Sequence, residues 1–285
     1  MIQKRLCLLG AVHVATRGDD VPRFRSQRTI ALLGYLVAEG RPLRRDALAS
    51  LFWPDEAPSA GRGKLRRELH NLAQVLPDCW RIDRTLVTFS PCPDTTVDIY
   101  VVQQLEEHQR WQEAAELLRG EFLEGVWLDE NLEFETWLLG ERERWRGRAQ
   151  GVLTRVIEGY TRRGRYADAL RYVRRLLQHS PWNEGAHRRA MRLLAWIGQR
   201  GAALRQYEIC RETLWEELGV EPDDETTALH EQILAGKLDT PPPLPAFLTE
   251  DALTNAVARP LFVARERELG RLDGFLRSAL TGQGR

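Results

Sequence analysis

The chain has 285 residues, 43% hydrophobic and 29% charged, with 41 basic residues balancing 41 acidic ones. That is the composition of a globular protein with room for two cores, and no apolar run reaches the length a bilayer span needs. The neutral total hides an asymmetry: residues 1–96 carry 15 Lys+Arg against 10 Asp+Glu, while residues 97–240 carry 20 against 26. A nucleic-acid module joined to a protein-interaction module has this signature.

LCLLGAVHVAT reads as strand rather than signal peptide, because Gly10 and His13 interrupt the apolar run and Val12 and Val14 alternate. A polar turn at Arg17-Gly18-Asp19-Asp20 and a second strand segment, VPRFRS, follow. Ser26 caps a helix through QRTIALLGYLVAEG that Gly40 stops; RRDALASLFW is the next helix, ended by Pro54. The third runs from about Ser59 to Leu76. Its Leu65, Leu69, Leu72 and Leu76 share one stripe, and the opposite side carries Gly63, Arg67, His70, Asn71 and Gln74, with Lys64 and Arg66 flanking. Gly61 and Gly63 weaken its first turn and leave its start open. WRIDRTLVTFSP is a hairpin turning at Asp83-Arg84-Thr85. Strands, three helices and a hairpin are the order of a winged helix, which places its third helix in the major groove.

From Val97 the pattern is helical. GRYADALRYV at 164–173 matches GQRGAALRQY at 198–207, a period of 34, and RWQEAAELL at 110–118 is a fainter copy. That is the tetratricopeptide period. Trp127, Phe134 and Trp137 read as core. Residues 237–260 read as a Pro-rich linker, and residues 261–285 as the start of another amphipathic helix with Leu269, Leu272, Phe275 and Leu276 on its stripe. The six histidines and four cysteines show no metal-ligand spacing, and no GxSxG elbow or GK[ST] phosphate loop is present. Cys7, Cys79, Cys92 and Cys210 form no CxxC pair and read as unpaired thiols of a reducing cytoplasm. The expectation is a cytoplasmic protein that is not an enzyme and holds no cofactor or metal.

Several stretches resemble one family. ELGVEPDDETTALHEQIL (217–234), GEFLEGVWLDENLEFETWLLGERERWR (120–146) and VDIYVVQQL (97–105) are similar to the end, middle and entry of the bacterial transcriptional activator domain. SQRTIALLGYLVAEGRPLRRDALASLFWPD resembles the OmpR-type winged helix that precedes it. Together they resemble the Streptomyces antibiotic regulatory proteins and their larger multidomain relatives. LFVARERELGRLDGFLRSALTGQGR is similar to the lead-in of a signal-transduction NTPase domain, with Ala264 where that family usually has Gly. The resemblance implies a longer parent protein.

The fold it implies is α+β: an N-terminal OmpR-like winged helix over residues 1–93, followed by an all-α tetratricopeptide-like domain over 97–236. It implies binding to direct repeats in promoter DNA, contact with the sigma and alpha subunits of RNA polymerase, and a homodimer on DNA as one arrangement. Arg67, His70, Asn71 and Gln74 are placed to read base edges, and Arg62, Lys64 and Arg66 to meet phosphate. Arg84 and Thr85 at the hairpin tip, and Arg44 and Arg45 at the start of the second helix, either touch the DNA or are solvated surface. The alternative is a tetratricopeptide scaffold for protein partners, whose winged helix serves as a protein contact.

Overall fold

The computed structural model describes residues 4–15, 24–129 and 131–241. The chain opens with β1 (Lys4–Cys7) and β2 (His13–Ala15), an antiparallel pair with Leu6 opposite Val14. Gly10, at φ +101°, makes the break between them, a conformation that costs glycine little. β1 is the middle strand of three, because β6 (Thr95–Val97) runs parallel along its other edge with Leu6 opposite Val97. Of VPRFRS, the described residues Phe24–Ser26 are irregular and lead into a helix cap; the remainder and the turn at 17–20 lie outside the described residues.

Ser26 caps α1 (Gln27–Glu39): its backbone is extended and its Oγ accepts from Thr29 N–H at 3.1 Å. Gly40 ends the helix in the left-handed conformation. A two-residue strand, β3 (Leu43–Arg44), passes directly into α2 (Arg45–Phe52), and α3 follows over Pro58–Val75. The glycines do not delay α3. Pro58 stands in its first turn, where a missing N–H costs nothing, and Gly61 is buried where an added Cβ would lie 3.6 Å from the Cβ and carbonyl oxygen of Ala49. Close helix packing offsets glycine's poor propensity there.

The hairpin of β4 (Trp80–Ile82) and β5 (Leu86–Phe89) forms the wing, and β3 pairs with its inner strand to give the order β3-β5-β4. Strands as short as β3 and β6 carry no period of their own and form by pairing across long sequence separations.

The helical region comprises α4 (Asp98–Glu107), α5 (Trp111–Leu117), α6 (Leu132–Arg162), α7 (Tyr166–His179), α8 (Glu184–Trp196), α9 (Arg200–Leu218) and α10 (Asp224–Ala235). Successive helices pack against one another. The repeat is exact in its turns. Gln109, Gly164 and Gly198 all have positive φ, and the next residue's N–H returns five positions back: Arg110 to Leu105 at 2.8 Å, Arg165 to Tyr160 at 3.0 Å, and Gln199 to Leu194 at 2.8 Å. Ala114, Ala169 and Ala203 then sit at the same place in each following helix, all fully buried. The faint third copy is therefore a structural one, with Gln109 where the other two have glycine.

One hydrophobic core runs through both regions. Phe134 is in it and lies 5.4 Å from Phe52, and Trp137 packs 4.6 Å from Tyr35. Trp127 is a correction to the sequence reading: it is 55% exposed, because it falls in the irregular segment before α6 rather than on a helix face.

Two buried polar residues sit at the junction. Asp98 accepts Leu8 N–H and Leu9 N–H on one oxygen, at 2.8 and 2.9 Å, and Ile99 N–H on the other at 2.8 Å. Asn131 caps α6 by accepting Phe134 N–H at 3.0 Å, while its amide donates to Leu51 O of α2 at 2.7 Å. The backbone closes the same seam through Gly10 N to Glu121 O and Leu123 N to Leu8 O, both 2.8 Å.

Candidate nucleic-acid interface

α3 packs against α1 and α2 through its leucine seam: Leu65, Leu69, Leu72 and the terminal Leu76 are all buried. Burying one edge so completely fixes what the other presents. Arg62, Arg66, Arg67, His70 and Gln74 are exposed, and Lys64 and Asn71 are half-buried. Arg62 to Gln74 spans about 18 Å along the axis, a length that fits within one turn of a DNA major groove.

These residues are not equally free. Arg62 lies 3.4 Å from Asp46 of α2, and Lys64 pairs with Glu56 ahead of the helix. Both are surface pairs of little net strength, open to exchange for phosphate. Arg66 and Arg67 have no acidic partner among the described residues, and with Arg25, His70 and Asn71 they line one open groove. His70 and Gln74, one turn apart, share a hydrogen bond of 3.1 Å between Nε2 atoms.

Glu68 orders the middle of this face. It accepts Thr29 Oγ1 at 2.5 Å, and Thr29 is itself held by the Ser26 cap of α1. The amide of Asn71 lies 3.5 Å from the same carboxylate, a contact at the limit of hydrogen bonding. The N-terminus of α1 thereby fixes Glu68 beside the outward amide of α3. Sequence reasoning missed Glu68 and Arg25. The available signal was the chain neighbourhood: Glu68 adjoins Arg67, and Arg25 immediately precedes the capping serine.

At the wing tip Asp83 Oδ1 accepts Thr85 N–H and Leu86 N–H, both at 2.7 Å, and Thr85 Oγ1 at 3.1 Å. The backbone N–H groups of Leu86 and Thr85 hold its carboxyl below the usual aspartate range. Arg45 is engaged here too. Its guanidinium donates to Asp83 O at 2.9 Å and its N–H to Thr85 O at 2.8 Å, so it clamps the wing to α2. Arg44 and Arg84 are exposed. The structure thus gathers the α3 residues on one face and puts Arg45 into the wing's framework.

Chemically, the face offers guanidinium groups for guanine edges or phosphate, and amides whose paired donor and acceptor match adenine. No helix among the described residues is long and apolar enough to cross a membrane.

The family described as bacterial transcriptional activator domain matches residues 102–234. The transcriptional regulatory protein MoaR1 of Mycobacterium tuberculosis is 25% identical over 255 residues, which cover 80% of this chain and 78% of MoaR1. The transcriptional regulatory protein EmbR of the same organism is 24% identical over 82% of this chain and 64% of its own length. The regulatory protein AfsR of Streptomyces griseus is 27% identical over 96% of this chain, which spans 29% of AfsR. Among solved structures, M. tuberculosis EmbR in complex with a low-affinity phosphopeptide matches in fold with a TM-score of 0.56, at 18% identity, over 93% of this chain and 71% of that one.

Proposed function

From the premise that this chain is a transcriptional regulator of the Streptomyces antibiotic regulatory protein type, with a bacterial transcriptional activator domain, we propose that α3 is its reading element. In this reading residues 1–93 are the DNA-binding unit and 97–236 the activator unit, in the cytoplasm. Arg67, His70, Asn71 and Gln74 address base edges in the major groove of promoter DNA. Arg62, Lys64, Arg66 and Arg44 meet phosphate, and the wing tip at Arg84 and Thr85 lies along the adjacent backbone. The observation that carries the reading is the complete burial of one leucine seam, which leaves Arg66, Arg67, His70 and Asn71 together on an open groove.

Activation in this reading runs through contact of the helical region with RNA polymerase, and two copies of the chain on repeated half-sites suit promoter repeats. The test is selection of bound fragments from genomic DNA with the full chain, followed by the Arg67→Ala/Asn71→Ala double variant on the selected site. The expected result is a defined footprint, steep salt dependence and loss of preference in the variant. Binding that ignores salt, or a double variant with full preference, overturns it and favours the protein-scaffold alternative.

A further inference from the structure

The four cysteines fall into two kinds. Cys7 and Cys210 are buried alone, and burial pushes both thiols up, Cys210 to about 12. Cys79 and Cys92 are 13 positions apart in sequence, yet their sulfurs lie 2.8 Å from each other. Cys79 precedes β4, two residues after Pro77 ends the exit from α3, and Cys92 lies on the link from β5 to β6.

Backbone bonds fix both residues: Ser90 N–H donates to Cys79 O and Thr95 N–H to Cys92 O, each at 2.9 Å. Thr95 Oγ1 sits beside the pair, 3.1 Å from the Cys92 sulfur and 3.6 Å from that of Cys79. Cys79 is fully buried and Cys92 only half-buried. Partial burial raises the Cys92 thiol, but hydrogen bonds from Cys79, Thr95 and the Asp94 backbone outweigh it, and the net displacement is downward. Burial, joined by its bond to Cys92, pushes Cys79 up. A reachable, more acidic thiol against a shielded partner is the arrangement of an attacking and a resolving cysteine.

We propose that Cys79 and Cys92 are a dithiol that hydrogen peroxide closes to a disulfide, tying the exit of α3 to the base of the wing. The Cys92 thiolate attacks one peroxide oxygen, the O–O bond breaks, and the departing oxygen leaves as water once protonated. Cys92 is then a sulfenic acid. The Cys79 sulfur displaces its hydroxyl, which leaves as a second water with the Cys79 proton. The two thiols lose two electrons and two protons, and the peroxide takes both. A dithiol reductant reverses the bond by exchange.

The test needs no DNA and so stands apart from the promoter reading. The full chain is treated with hydrogen peroxide, alkylated and digested with trypsin. The expected product is the cross-linked species joining residues 68–81 to 85–110, with a mass loss of about 2 Da that dithiothreitol restores. Cys7 and Cys210 stay unmodified until the chain is unfolded. Amide exchange in β4 and β5 slows after oxidation. Cys92→Ser abolishes the species, and Cys79→Ser arrests Cys92 as a sulfenic acid that dimedone traps. Oxidation of Cys92 to sulfinic acid while Cys79 remains free, or a cross-link between two chains, overturns the proposal. Should Cys79→Ser fail to fold, the peptide map of the parent chain and Cys92→Ser decides.

Discussion

The outward face of α3 and the seam between the N-terminal sheet and the helical region are both built from polar side chains, under opposite rules. On the α3 face two contacts that hold outward groups are long and replaceable: Arg62 to Asp46 at 3.4 Å and Asn71 to Glu68 at 3.5 Å. At the seam Asp98 and Asn131 are buried, and their bonds run between 2.7 and 3.0 Å. A buried donor without a partner is expensive, so a seam of this kind either forms completely or not at all. A surface meant to exchange water for another molecule needs partners it can release. The two regions therefore separate the work of holding a shape from that of meeting a ligand.

The largest effect expected from breaking this contrast is at the seam. Asp98→Ala leaves three backbone N–H groups unpaired in the interior and should lower stability by roughly 3–5 kcal/mol. Denaturant unfolding followed by tryptophan fluorescence and by helical circular dichroism should shift together, since one core spans both regions. Separate midpoints would show that the seam does not couple them. Gly34→Ala comes next. The added Cβ runs into the side chain of Leu123, which is itself buried and held at φ +50°, so a cost of about 1–3 kcal/mol is expected in the same measurement.

On the α3 face the same chemistry should leave stability almost untouched. Arg67→Ala and Asn71→Ala should each weaken a specific site by about 1–3 kcal/mol, with the melting temperature nearly unchanged. A large fall in melting temperature would move these residues to the structural side of the comparison. Arg66→Ala should weaken all sequences alike and reduce the slope of log affinity against log salt by about one unit in a titration series. The smallest effect is at Asp46→Ala, which frees Arg62: stability should change by less than about 0.5 kcal/mol, and nonspecific DNA affinity should rise slightly. A clear stability loss there would mean that the surface pair is worth more than its geometry suggests.

What could be read from the sequence divides along the same line. α1 and α3 were legible because a cap, a stop and a leucine period are local signals, and the outward face of α3 followed from the same period. The turns of the repeat were legible at Gly164 and Gly198, where only glycine adopts the backbone cheaply; Gln109 takes the same backbone without announcing it. The seam was not legible. Asp98 looks like any acidic residue in a first helical turn, and its partners Leu8 and Leu9 lie about 90 residues away. Trp127 is exposed although its bulk suggests burial, because it lies off any helix face. Glu68 carries no local signal of its role, because its partner Thr29 sits on another helix. The thiol pair was hidden for a related reason, since the link that returns Cys92 to Cys79 has no periodicity.

The place of β1 in its sheet has a consequence for how the chain is made. β1 leaves the ribosome well before the strand that closes its second edge, β6, which is synthesised some 90 residues later. At translation rates of about 5–20 residues per second, that delay is roughly 5–20 seconds. During it β1 has β2 on one edge and no strand on the other, and an open strand edge flanked by leucines is a template for pairing with another chain. Production of this protein should therefore be limited by the nascent β1 segment rather than by the finished fold, and a chaperone that shields short apolar strands should raise its yield.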